Sequence, residues 1–153
     1  MTQRITELFD YADGKLLWKQ SRGRVEAGSE AGTLAKNGRL YAQVDGKKML
    51  VHRIIWALHH GDCPEFLDHI DGNPLNNSIE NLRPATKSQN AMNRKVKSDN
   101  QLGVKGVSRR HNKFCANIMV GGKNLFLGMF NTINEASNAY KLAASTHFGA
   151  FAK

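Results

Sequence analysis

Between residues 68 and 90 the chain sets a carboxylate beside an imidazole, Asp68-His69, and follows them with two separated carboxamides, Asn81 and Asn90. A histidine near its ordinary pKa of about 6.5 can take a proton from water at neutral pH. A carboxylate and an amide oxygen can hold a hard divalent cation if water and anionic substrate oxygens complete its octahedron. Together these residue types suit metal-assisted hydrolysis, in which the cation neutralises charge that develops at the reacting centre. The same stretch is polar and dense in turn formers, punctuated by Asp71-Gly72 and Asn73-Pro74, so a long surface loop is the plain alternative.

The flanking pattern decides between the two. Residues 65–70 read as a short strand that ends at Asp68 and His69, with these two side chains on opposite sides of the pleat. Residues 79–82 read as a second short strand. Thr86-x-x-Gln89, directly after Pro84, is a capping box that opens a helix, and Asn90 lies one turn into it. Strand, loop, strand and helix make a compact unit able to gather Asp68, His69, Asn81 and Asn90.

This layout resembles the HNH nuclease family and its ββα-metal motif. The version here runs Asp-His, then Asn, then Asn, where many members end in His. The flank Val51-His52-Arg53-Ile54-Ile55-Trp56 and the run Asp68-His69-Ile70-Asp71-Gly72-Asn73 look like the phage and intron-homing branch. The resemblance implies that His69 is the general base, that Asp68 and Asn90 hold one divalent metal on the scissile phosphate, and that Asn81 braces the motif through backbone hydrogen bonds. An Asn carbonyl is a harder ligand than imidazole, so with Asp68 it favours Mg²⁺ or Mn²⁺ over Zn²⁺.

Composition bounds the rest. The 153 residues suffice for one ordinary domain or two small ones, and 41% apolar content allows a packed core without disulfides. Cys63 and Cys115 are too few for a multi-cysteine zinc site, and a disulfide is not expected in a reducing cytosol. A formal charge of +9 points to a polyanion, nucleic acid before an anionic membrane. No run approaches the roughly 18 apolar residues of a spanning helix. The first residues lack the apolar stretch of a signal peptide, so the expected location is the cytoplasm, that of a bacterial host if the phage resemblance holds.

The expected fold class is α+β. Residues 1–93 form an HNH nuclease domain on a platform of β-hairpins, 94–103 a basic linker, and 104–153 a second small domain. Asp13-Gly14, Asn37-Gly38 and Asp45-Gly46 mark hairpin turns within residues 1–50. Residues 51–60 read as a helix with Val51, Ile54, Ile55 and Leu58 on one face and Gly61 as its stop. Arg53, near its N-terminus, is a candidate phosphate clamp. Residues 83–113 carry nine basic side chains against one acid, Asp99, for a net +8, which leaves +1 for the remainder. Arg83, Lys87, Arg94, Lys95 and Lys97 therefore read as a track for a phosphate backbone.

In the last third, residues 104–108, 113–120 and 124–129 read as three strands, with Gly121-Gly122 turning the last pair. Thr132-x-x-Glu135 opens a helix to about His147. Lys105-Gly106-Val107, Lys113 to Ile118, Leu125-Phe126-Leu127-Gly128 and the helix stripe Ala136, Tyr140, Ala143 and Ala144 resemble the AP2 DNA-binding domain, in which a three-stranded sheet packed on one helix lies in the major groove. Alternation then directs Ser108, Arg110, Cys115, Asn117, Met119, Asn124 and Phe126 outward, and Phe114, Ala116, Ile118, Leu125 and Leu127 toward the helix. Ser108, Met119 and Phe126 stand where the family commonly has Arg or Trp.

The resemblances imply a site-directed, strand-nicking homing endonuclease that acts on double-stranded DNA as a monomer or homodimer, with no membrane or small-molecule partner. Two other readings stay open. One is a non-catalytic DNA-binding regulator or packaging accessory, with the motif as scaffold. The other is an RNA-directed protein, disfavoured by the shortage of exposed aromatic residues in the strands.

Overall fold

The computed structural model of the chain describes residues 2–93, 96 and 100–152. Arg94, Lys95 and Lys97 of the expected phosphate track lie outside the described residues. The chain divides into two compact units, Met1–Pro84 and Ala85–Lys153.

The first unit begins with helix α1, Thr2–Leu8, where hairpins alone were expected. Ile5, Leu8 and Phe9 recur at helical spacing, and all three are buried. Two Asp-Gly turns then set hairpin registers. Asp13 and Gly14 both have positive φ (50° and 77°) between strands β1, Phe9–Ala12, and β2, Lys15–Trp18. Asp45 and Gly46 repeat the pattern (47° and 78°) between β4, Leu40–Val44, and β5, Lys47–Leu50; β3, Thr33–Leu34, pairs with the other side of β4. Such a turn twists with its strands, and glycine accepts its second position without a Cβ clash.

Helix α2, Val51–His60, follows β5 without a break and ends at Gly61, whose left-handed backbone lets its N–H reach the Ala57 carbonyl. Its apolar face buries Val51, Ile54 and Ile55 against Phe9, Leu16 and Leu82. Each such side chain contributes roughly 2 kcal/mol on burial. This core carries the strand pair β6, Leu67–His69, and β7, Leu82–Pro84. The second strand of the motif thus lies later than residues 79–82. Ile79–Asn81 instead form one 3-10 turn, closed by the Asn81 N–H on the Ser78 carbonyl, because the loop must bend before it can pair.

The second unit opens with helix α3, Lys87–Met92, whose Thr86 and Gln89 form the expected reciprocal cap. Met92 packs against the cluster of Ile118, Tyr140, Ala144 and Phe148, and its carbonyl accepts from Lys105 Nζ at 2.8 Å. Strands β8, Val107–Arg110, β9, Lys113–Val120, and β10, Lys123–Phe130, form an antiparallel sheet in the order β10-β9-β8. The first strand starts later than residue 104. Gly106, at φ 65°, breaks the extended path, and the Asn100 side chain ties 100–104 into a turn through Val104 O (2.7 Å) and Leu102 N–H (3.0 Å). Helix α4, Ile133–Phe148, has the Thr132–Glu135 capping box and packs on the sheet through Ala136, Tyr140 and Ala144.

Alternation along β10 is broken by a bulge between Phe126 and Gly128. Cross-strand partners share a face, so Asn124 with Met119, Phe126 with Asn117, and Met129 with Cys115 line the side away from α4. Leu127 falls in the bulge and still packs into the core. Cys115, directed outward by register, is buried, with its sulfur 3.1 Å from Asn117 Nδ2.

Candidate active site

Strands β6 and β7 pair Leu67 with Pro84, Asp68 with Arg83 and His69 with Leu82. Asp68 and His69 therefore leave the ladder on opposite faces. The Ile70 N–H donates to the Asn81 carbonyl at 2.8 Å, which extends the ladder one step to the start of the loop.

The loop, residues 71–78, is held by its own amides. Asn81 Oδ1 accepts from the Asp71 N–H (3.0 Å), and its Nδ2 donates to Asp71 Oδ1 (3.0 Å) and to the Asn76 carbonyl (2.8 Å). Asp71 also accepts from the Asn73 N–H (2.7 Å) and Asn76 Nδ2 (2.8 Å). Burial alone would raise the Asp71 pKa, but these hydrogen bonds outweigh it and hold the carboxyl below its ordinary range. The Tyr11 hydroxyl accepts from the Ile79 N–H at 3.1 Å and fastens the loop to β1.

His69 is buried, and its Nε2 lies 3.0 Å from Asn77 Oδ1. Beside it stands His52 of α2, 4% exposed, with ring centroids 5.0 Å apart and the rings near edge-to-face. Burial is the main cause that pushes His52 down to about 3, with positive charge from His69, Arg39 and Arg53 acting the same way. Burial also lowers the His69 pKa; the Asn77 contact and the charges of Asp71 and Asp68 oppose it. Both imidazoles are thereby biased toward the neutral form, the state a general base requires.

Asp68, 4% exposed, accepts from Arg83 through Oδ2, with Nε at 3.0 Å and Nη2 at 2.9 Å. Arg83 thus compensates a buried carboxylate. Arg53 donates to the Glu65 carbonyl at 3.1 Å and so anchors the approach to β6. Among the described residues no group of three or more His, Cys, Asp or Glu side chains could hold a metal. A cation at Asp68 would take most of its coordination from amide, water and phosphate oxygens, a set that fits a hard ion.

The other expected residues lie in the second unit. Asn90 and Lys87 are on α3. Ser108, Arg110, Met119, Asn124 and Phe126 are exposed on the sheet and Asn117 is half-buried there, with Phe126 63% and Met119 48% exposed. Two residues that contact His69, Asn77 and His52, belong to the motif and its flank but carried no expected role. Asn77 sits in a loop of similar Asn residues, and His52 lies in the first turn of a helix that also carries Arg53, His59 and His60. Its place one residue after Val51, on a helix that buries Ile54 and Ile55, was the available signal.

Residues 49–92 match the family model HNH_3, described as HNH endonuclease. The matched segment spans α2, both motif strands and α3, so this portion of the chain is similar to HNH endonucleases. The chain is also similar to two viral proteins. It is 38% identical to the uncharacterized HNH endonuclease L560 of Acanthamoeba polyphaga mimivirus over 108 residues, 69% of this chain and 56% of the relative. It is 42% identical to Protein 3.8 of Escherichia phage T7 over 59 residues, 37% of this chain and 49% of the relative. The chain spans about half the length of the curated relatives it matches. No helix among the described residues is long and apolar enough to cross a membrane.

Proposed function

We propose that the chain is a metal-dependent DNA endonuclease of the homing type that nicks one strand. His69 takes the proton from the attacking water. Asp68 and Asn90 would hold one Mg²⁺ or Mn²⁺ at the scissile phosphate. Asn81 keeps the loop in shape, and the cation, when bound, would supply charge neutralisation at the phosphate and the leaving oxygen. The observation that carries this reading is a buried, neutral-biased His69 held between Asn77 and His52, next to Asp68 in the sequence and within the segment that matches the HNH endonuclease family.

The second unit, with its AP2-like sheet on one helix, would position the nuclease on duplex DNA. Ser108, Arg110, Asn117, Met119, Asn124 and Phe126 would face the groove. Arg53, Arg83, Lys87 and the 94–97 basic run would follow the backbone.

The test is conversion of supercoiled plasmid carrying a fragment of the source genome, with and without Mg²⁺, by wild type and His69→Ala. Nicked circles that require both metal and His69 are expected, because general-base loss costs about 10²- to 10⁴-fold and one site per chain meets one strand. Linear product at first contact would replace the nicking assignment with paired sites. Tight binding without cleavage in either Mg²⁺ or Mn²⁺ would leave a DNA-binding protein with the motif as scaffold.

A further inference from the structure

We propose that Asn77 is a positioning residue for hydrolysis: it fixes the tautomer and ring plane of His69, so that hydrogen sits on Nε2 and the in-plane lone pair on Nδ1. This rests on the reading of His69 as the base. The geometry begins with the loop. Asp71, Asn76 and Asn81 lock its backbone, and the Asn77 N–H closes on the Leu75 carbonyl at 3.1 Å. That frame turns the Asn77 side chain inward, where the residue is 3% exposed, and its Oδ1 meets His69 Nε2 at 3.0 Å.

An amide oxygen can only accept, so Nε2 must donate, and a neutral imidazole that donates from Nε2 carries its lone pair on Nδ1. The His52 ring packed at 5.0 Å limits rotation of the His69 ring out of this plane. An amide suits the task better than a carboxylate. It orients the ring without adding a negative charge beside Asp68 and Asp71, and so leaves the imidazole neutral. The logic matches the group that orients the histidine of a hydrolytic triad, where loss of the correct tautomer costs far more than loss of a hydrogen bond.

The experiment separates this role from a structural one. Full-length protein labelled with ¹⁵N-histidine is recorded in long-range ¹H–¹⁵N correlation at pH 8 without metal, and the His69 ring is assigned by its loss in His69→Gln. Wild type should show the pattern of an Nε2–H tautomer. Asn77→Leu should add Nδ1–H signal, and Asn77→Asp, which keeps an acceptor, should preserve the wild-type pattern. In the nicking assay Asn77→Leu should lower kcat by about 10²-fold with KM and DNA affinity unchanged, and Asn77→Asp should recover most of the loss.

An Nδ1–H tautomer in the wild type overturns the proposal and needs no variant to fold. So does a kcat loss in Asn77→Leu with the tautomer unmoved, or unchanged kcat in that variant. If the tautomer responds as expected but wild type cuts no DNA with metal, the base reading falls and the positioning contact stands.

Discussion

His52 is a group that must stay neutral to remain where it is. Burial pushes it down to about 3 in the folded chain, whereas the unfolded chain restores an ordinary value of about 6.5. Between these values the unfolded state binds a proton that the folded state refuses. The stability linked to His52 is therefore fully present above about pH 6.5 and is lost as pH falls toward 3. The slope approaches, at most, about 1.4 kcal/mol per pH unit. His69, also lowered, acts in the same direction. Urea unfolding at pH 7, 6 and 5 should show a falling midpoint, and His52→Leu should flatten that fall while keeping the site apolar. Parallel losses in wild type and variant would place the sensitivity elsewhere.

At the scale of elements, the tightest constraint is the approach of β9 and α4 at Gly106. A Cβ there would stand 2.1 Å from the Tyr140 ring and 2.5 Å from the Asn117 carbonyl, on a backbone with φ of 65°. Neither neighbour can yield, since Tyr140 belongs to the buried cluster and the Asn117 N–H bonds the Gly106 carbonyl at 2.8 Å. Left-handed strain and overpacking together should make Gly106→Ala cost about 3 kcal/mol. A thermal melt should show the transition of the second unit lowered, whereas Gly122→Ala, where a Cβ meets nothing, should cost only its turn strain. Equal effects would remove the steric argument. The elements that the residues announced were those with chemical punctuation. The Asp-Gly turns, the Gly61 stop and the caps at Thr86 and Thr132 all specify a local geometry that tertiary contacts leave intact. Elements defined by contacts distant in sequence were harder to read. Helix α1 shows only Ile5 and Leu8 among polar residues, the 79–81 turn looks like a strand until Asn81 is seen bonding Asp71, and the bulge at Leu127 breaks an alternation that the residue types continue. The same holds at the site. Asp68 and His69 stand out by type, but Asn77 acquires meaning only when the loop folds it onto Nε2.

Across the whole chain, the excess charge has a location that argues for a partner. Residues 83–113 hold +8 of the total +9, so the basic character belongs to the motif's end and the start of the second unit. A phosphate backbone neutralised there releases counterions, and affinity must then fall steeply with salt. Arg110, exposed beside Lys113 in the β8–β9 register, is the basic side chain of the sheet face most suited to such a contact. Arg110→Ala should weaken binding to all duplex sequences alike and reduce the slope of log affinity against log salt by about one. Phe126, 63% exposed on the same face, makes the contrasting prediction. Its ring carries no charge, so Phe126→Ala should lower affinity without altering the salt slope. Fluorescence anisotropy with one labelled duplex at two or more salt concentrations reads both. If Arg110→Ala leaves the slope unchanged and Phe126→Ala leaves affinity unchanged, the sheet face is not the DNA surface. The charge along residues 83–97 would then be left to carry binding alone.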